Sequence, residues 1–233
     1  MKTFLQNISN SVSHLLFPHN CLGCATDLLN QNDLLCAKCF TDLPETNFAT
    51  APNNPIEKTF LGRIKIEQAT SSFYFTKESL LQHLMVQLKY KNNREVGLYL
   101  GKLLGHHLLQ SNRFNDVEAL IPLPLNDKKE YKRGYNQAEM ICKGIAEVFE
   151  KPIVNNAVIR TVFTETQTHE NRISRWQNME GVFALTNEKA IVNKHVLLVD
   201  DVVTTGATLE SCGAEILKTA NTKLSIACVA FTI

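Results

Sequence analysis

The sequence predicts an α/β fold in which a mainly parallel sheet is flanked by helices, preceded by a small N-terminal ribbon-type unit. Three observations carry this. From about residue 60, short apolar runs alternate with stretches of helical periodicity, the pattern of strands joined by crossover helices. Four of the seven cysteines fall between Cys21 and Cys39, and the rest are scattered. The apolar run Val196–Val199 ends in Asp200 and Asp201 and is followed by a turn around Gly206. A chain of 233 residues suits one sizeable domain plus an appendage. The expected division is 1–55, for an N-terminal helix, ribbon and linker, and 56–233 for the α/β domain.

The elements follow in order. Residues 1–17 disperse Phe4, Leu5, Ile8, Val12, Leu15 and Leu16 at helical spacing. That predicts an amphipathic helix, where an export signal needs a compact apolar core. Residues 42–58, with Pro44, Pro52 and Pro55 among Asn and Thr, read as a linker. Residues 64–75 predict one or two strands. Thr76 is the expected cap of a helix over 77–90, which puts Leu80, Leu81, Leu84, Met85 and Leu88 on one face. A second helix spans 94–110. Strand 117–125, helix 135–149, strand 157–163, strand 195–202, helix 205–220 and strand 223–233 complete the chain. In such sheets, ligands bind beyond the C-terminal ends of the strands.

Composition narrows the function classes. Hydrophobic residues make up 44% and charged residues 20%, too apolar for a disordered chain. Lys and Arg number 24 against 23 Asp and Glu, a net charge of +1, so any nucleic-acid contact must come from a local patch. The longest apolar run is six residues, Ile226–Phe231, against ~20 for a membrane span. A cytoplasmic setting is expected, and there paired cysteines point to metal or redox chemistry.

Cys21, Cys24, Cys36 and Cys39 follow the spacing C-x2-C-x11-C-x2-C. Each C-x2-C pair can turn both sulfurs toward one ion, and four thiolates make a closed tetrahedral site. A structural Zn2+ is the first expectation, with an iron–sulfur centre or two redox pairs as the alternatives. Cys142, Cys212 and Cys228 read as fillers of helices and strands.

The segment Val196–Thr208 joins two features. A buried strand delivers Asp200 and Asp201 to its end. Thr204, Thr205, Gly206, Ala207 and Thr208 then form a turn that opens a helix. Small residues let backbone N–H groups approach an anion, and the helix N-terminus adds partial positive charge. This reads as a phosphate cradle beside carboxylates that accept from sugar hydroxyls; the bland alternative is an acidic turn before a capped helix. The joint pattern resembles the phosphoribosyl-pyrophosphate (PRPP) motif of type I phosphoribosyltransferases. The resemblance implies that Asp200 and Asp201 hold the ribose 2′ and 3′ hydroxyls while Thr204–Thr208 holds the 5′-phosphate.

Further segments extend the likeness. LKYKNNRE contains Leu88, Lys89 and Tyr90; IPLPLNDKKEYKRGYNQAE contains Arg133, Gly134, Asn136 and Gln137; RTVFTETQTHENRISRWQNMEGVF contains Arg160, Arg172 and Arg175. With the four cysteines, the chain resembles the ComF family, associated with bacterial competence and DNA uptake. That implies a pyrophosphate-binding loop at 128–133, where Lys132 and Arg133 meet the ligand and Gly134 gives the backbone room. It also implies a catalytic loop carrying Arg172, and Mg2+ accompanying PRPP in a glycosyltransferase-type reaction. A second reading is a non-catalytic adaptor that binds single-stranded DNA and a helicase-type partner through the retained phosphate site. A third makes the ribbon an oligomerisation element and the remainder a nucleotide sensor.

Overall fold

The computed structural model describes residues 20–27, 29, 33–161 and 182–232. The expected N-terminal helix and the loop arginines Arg172 and Arg175 lie outside them. The sheet is built from β1 (Ala69–Phe75), β2 (Ala119–Pro122), β5 (His195–Val203) and β6 (Lys223–Thr232). Its order is β1-β6-β5-β2, with every pairing parallel. Residues 152–154 extend the β2 edge: Leu120 N–H donates to the Pro152 carbonyl and Val154 N–H to the Leu120 carbonyl, both at 2.8 Å.

Both faces of the sheet are buried, which explains its unbroken apolar strands. On one face Leu197, Val199, Ala227 and Val229 pack with α3 (Leu80–Tyr90), α4 (Arg94–Ser111) and α6 (Gln137–Phe149). On the other, Val196, Leu198, Ile226 and Cys228 pack with α2 (Pro55–Phe60) and α7 (Ala207–Ile216). Cys142, Cys212 and Cys228 are fully buried among these residues, as fillers should be.

The structure corrects several expectations. The proline-rich stretch 42–58 is folded against the sheet. Glu45 bridges Phe73, Tyr74 N–H donates to the Pro44 carbonyl at 2.8 Å, and Phe48 and Ile56 are buried. Proline suits this edge, where no ladder donor is required of it. Asn54 caps α2, its side chain accepting from Ile56 N–H at 3.0 Å and Glu57 N–H at 3.1 Å, with Pro55 in the first turn. The Asn-Pro pair that reads as loop is therefore a helix start. Ser79, and not Thr76, caps α3, accepting from Gln82 N–H at 3.1 Å.

The basic segment expected to be a loop is a short helix, α5 (Asp127–Arg133). Asn126 caps it and Gly134 ends it with φ +75°. The strand expected at 157–163 leaves the main sheet: β3 (Val158–Arg160) pairs antiparallel with β4 (Phe183–Leu185). With Ile159 exposed, three residues cannot present two buried faces, and the parallel sheet demands both.

α4 and α6 make the most extensive helix–helix contact among the described elements. Gly97, Gly101 and Gly105 lie one turn apart on α4, and Gly144 faces them from α6. A Cβ on Gly101 would stand 2.2 Å from the Ile141 carbonyl oxygen, and one on Gly144 would stand 2.1 Å from that of Leu98. The two backbones touch directly.

The short helix α1 (Ala37–Thr41) carries Cys39. Cys21, Leu34, Leu35, Cys36, Cys39 and Leu43 share one apolar cluster with Leu81 and Leu84 of α3. The cysteine segment thus lies against the α3 face.

Candidate functional site

Two chemical centres emerge. At the first, one ligand atom from each of Cys21, Cys24, Cys36 and Cys39 lies within 4.8 Å of all the others. Cys24 Sγ and Cys36 Sγ are 3.6 Å apart. Cys36 N–H donates to Cys21 Sγ at 3.2 Å and Gly23 N–H to the same sulfur at 3.4 Å. Burial opposes ionisation of Cys21, but the backbone N–H groups of Cys36, Cys24 and Gly23 outweigh it and bring the thiol down to about 6. Burial and hydrogen bonds with the other three cysteines push Cys39 up to about 12. One thiolate forms easily and the last forms against its neighbours' charge, a conflict that a bound cation removes. The four sulfurs fit a metal ion.

The second centre sits at the C-terminal end of β5, where α/β sheets bind ligands. Asp200 and Asp201 are adjacent there, and Asp201 N–H donates to Asp200 Oδ1 at 2.8 Å. Asp201 is only 4% exposed. Burial and the neighbouring Asp201 push Asp200 up to about 8, against weaker help from Lys89 and Arg160. Two carboxylates this close do not both ionise readily. Lys89, from the end of α3, forms an ion pair with Asp201, Nζ to Oδ2 at 2.9 Å.

After β5 the chain turns through Thr204 and Thr205, both exposed, into Gly206 and α7. Gly206 adopts φ +73° and its Cα packs on the Phe60 ring, where an added Cβ would come within 2.9 Å. Gly206 offers no side chain to cap α7, and Ala207 N–H has only a long contact, 3.5 Å, to the Thr205 hydroxyl. Its first turn therefore presents backbone N–H groups beside the Thr hydroxyls, as an anion cradle requires. Arg63 secures the turn from below. It donates to the Thr205 carbonyl at 2.7 Å and the Thr59 carbonyl at 3.0 Å, and pairs with Glu210. Sequence reasoning missed Arg63, Glu210 and Phe60. Nothing in the local pattern around Arg63 marks it, because Thr205 and Glu210 lie more than 140 positions away.

A basic cleft of about 310 Å³ lies beside the acidic pair, lined by Lys89, Tyr90, Asn92, Lys129, Lys132 and Arg133. Arg133 donates to Gln137 Oε1 at 2.7 Å, and its guanidinium lies 5.7 Å from the Tyr90 ring centre. The Tyr135 hydroxyl donates to the Leu88 carbonyl, and Arg94 Nη2 donates to the Gly134 carbonyl at 2.9 Å. These bonds tie α5, α6 and the end of α3 into one wall. Gly134 spends its N–H on the Glu130 carbonyl at 2.7 Å, so its positive φ serves to end α5. Lys89 reaches both the cleft and Asp201. Lys132, Arg133, Asp200 and Asp201 therefore share one neighbourhood.

Gly206→Ala is expected to disturb this site more than the fold. The new methyl meets the Phe60 ring and holds an unfavourable φ, costing about 1–3 kcal/mol. A Tm fall of several degrees, with loss of phosphate binding followed by calorimetry, is the expected pair of readings.

Comparison with known proteins agrees with this geometry. Residues 138–232 match the model of the phosphoribosyl transferase domain, so the C-terminal part of the chain is similar to that α/β domain. Competence protein F of Haemophilus influenzae is 34% identical over 133 residues, covering 55% of this chain and 58% of that protein. DNA utilization protein YhgH of Escherichia coli K12 is 28% identical over 156 residues, covering 66% and 68%. Competence protein ComFC of Bacillus subtilis is 24% identical over 213 residues, covering 88% and 82%. These likenesses support a ComF-type, phosphoribosyltransferase-like reading of the chain, which spans about 58% of the length of the Haemophilus relative it matches. Among the described residues, no helix is long and apolar enough to cross a membrane.

Proposed function

We propose that this protein binds PRPP at the end of β5 and acts as a Mg2+-dependent phosphoribosyltransferase. The observation that carries it is the junction of Asp200–Asp201 with the uncapped, glycine-led start of α7. In this reading the two carboxylates accept from the ribose hydroxyls, and Thr204, Thr205, Gly206, Ala207 and Thr208 hold the 5′-phosphate. Lys132 and Arg133 face the pyrophosphate, with Arg172 assigned to the same task by family resemblance. Asp200 and Asp201 would help to hold a Mg2+ ion accompanying the ligand, and the ion would supply positive charge to the departing pyrophosphate. An acceptor nitrogen forms its bond to ribose C1 as the bond from C1 to the pyrophosphate oxygen breaks, and pyrophosphate departs with the bonding pair. The carboxylates favour the positive charge that builds on the ribose.

The test is a calorimetric titration with PRPP, with and without Mg2+. Saturable binding that Mg2+ strengthens is expected; no heat in either condition overturns the reading. The names of the relatives support a proposed role in competence and DNA use, and the proposed compartment is the cytoplasm. The exposed rings of Tyr90 and Tyr131 near Lys129 and Lys132 favour one further reading, an adaptor that stacks single-stranded DNA on this wall and docks a helicase-type partner. Salt-sensitive retardation of labelled single strands supports it, and binding indifferent to salt contradicts it.

The four cysteines are proposed to hold a structural Zn2+, since all four positions are sulfur and none is left for water. Elemental analysis is expected to give about one Zn per chain. Cys36→Ser is expected to lower that content and to bring Tm down by several degrees, because the ion secures residues packed on α3. Full zinc retention in the variant would contradict this.

A further inference from the structure

Lys89 stands where the two halves of the site meet. Its ammonium is 2.9 Å from Asp201 Oδ2, and its side chain also lines the basic cleft. The lining residues of that cleft carry four cations (Lys89, Lys129, Lys132 and Arg133) and no carboxylate. The backbone beneath Lys89 is fixed, because the Tyr135 hydroxyl holds the Leu88 carbonyl and Arg133 lies over Tyr90. The side chain above it is a flexible four-carbon stem, 24% exposed, that touches both the carboxylate and the cleft. A buried carboxylate keeps such a partner until another charge replaces it.

We propose that Lys89 is a transferable counter-ion that holds Asp201 in the empty site and moves to the pyrophosphate of an arriving ligand. This rests on the PRPP reading above and adds a specificity rule to it. The sugar-binding carboxylate becomes available only when the ligand brings its own anion into the cleft. A phosphorylated ribose with no group at C1 leaves Lys89 on Asp201 and binds weakly. Lys89 thus acts as a positioning residue that couples recognition of the sugar to recognition of the leaving group.

The coupling is read with pyrophosphate alone, titrated into wild type, Asp201→Asn and the double variant Lys89→Met/Asp201→Asn. The double variant removes both members of the ion pair, so no Asp201 carboxylate is left buried without Lys89. Asp201→Asn releases Lys89 to the cleft and is expected to tighten pyrophosphate binding about 10-fold, the worth of one charge-assisted hydrogen bond. The gain is expected to vanish in the double variant. An unchanged affinity in Asp201→Asn, or a gain that survives in the double variant, overturns the proposal. Wild-type titration with PRPP and with ribose 5-phosphate separates the two readings. No PRPP binding defeats the proposed function itself, whereas PRPP binding without preference over ribose 5-phosphate defeats only the role of Lys89.

Discussion

Replacing Asp200 and Asp201 together by Asn is expected to weaken PRPP binding by 100-fold or more, while Asp200→Asn alone makes the ligand-free protein harder to unfold at pH 8. Both results come from one feature. Asp200 is pushed up to about 8 by burial and by Asp201 beside it. An unfolded Asp titrates near 3.9. Between those values the unfolded chain releases a proton that the folded chain keeps. The folded state therefore binds more protons, and stability falls as pH rises through that window. Asp200→Asn removes the titration and flattens the slope. Urea denaturation at pH 5 and pH 8 reads it: wild type loses stability between the two and the variant loses less. The binding loss has a separate cause, because an amide keeps the shape but not the charge that ribose hydroxyls and a divalent cation require. PRPP affinity within threefold of wild type in the double variant would show that the pair does not hold the sugar. An equal pH slope in wild type and Asp200→Asn would show that Asp200 is not the strained group.

How much of this was legible in the sequence depended on whether a feature is local. β5, β6 and α4 were readable because burial on both faces, or on one stripe, writes itself into consecutive residues. The cysteine cluster was readable for the same reason, as was the strand-turn-helix order across Asp200–Thr208: each is a short segment with fixed spacing. What escaped was made by distant partners. Arg63 closes on Thr205 and Glu210 across the whole domain, and no periodicity announces it. Residues 42–58 look like a linker because Pro and Asn dominate them, yet Asn54 and Pro55 start a helix and Phe48 finds a buried place beside Tyr74 and Phe231. Turn-forming residues specify how a chain bends; they do not specify whether it leaves the core. The basic helix α5 was hidden similarly, since its buried contacts are supplied by neighbours and none of its own residues is buried.

The opposed charges of the site also bear on how it is built. The acidic pair comes from β5, in the part of the chain that matches the transferase domain, whereas Lys89, Lys132 and Arg133 come from residues before position 138. The cationic wall therefore depends on how α3, α5 and α6 are placed against the sheet. The contact between α4 and α6 is the most extensive among the described helices, which makes the glycines there more than a packing detail.

Gly144→Ala is expected to cost more than 3 kcal/mol, and Gly105→Ala close to nothing, although both add one methyl to a buried helix face. Alanine gains roughly 1 kcal/mol over glycine in a helix interior. Against that gain stands the space each methyl finds. At Gly105 the nearest atoms, the Val148 Cβ and the Ile145 Cα and carbonyl oxygen, are 3.1–3.2 Å away, against 2.1 Å for the collision at Gly144, so a few tenths of an ångström of adjustment suffice. At Gly144 the methyl would meet the Leu98 carbonyl oxygen at 2.1 Å and the Lys102 nitrogen at 2.8 Å. Both are backbone atoms of α4, so relief requires the helices to separate along their contact. Overpacking of side chains costs about 1–3 kcal/mol, and a backbone collision exceeds that range. Against a total stability of about 5–15 kcal/mol, the loss would show as a Tm fall of roughly 6 °C or more. Separation would also move the start of α6, where Asn136 holds the Leu123 carbonyl at 3.0 Å and Gln137 holds Arg133. Gly144→Ala should therefore weaken anion binding in whatever fraction stays folded, whereas Gly105→Ala should not. Equal melting temperatures for the two variants would mean that the helices part easily there, and that the cationic wall is positioned by something else.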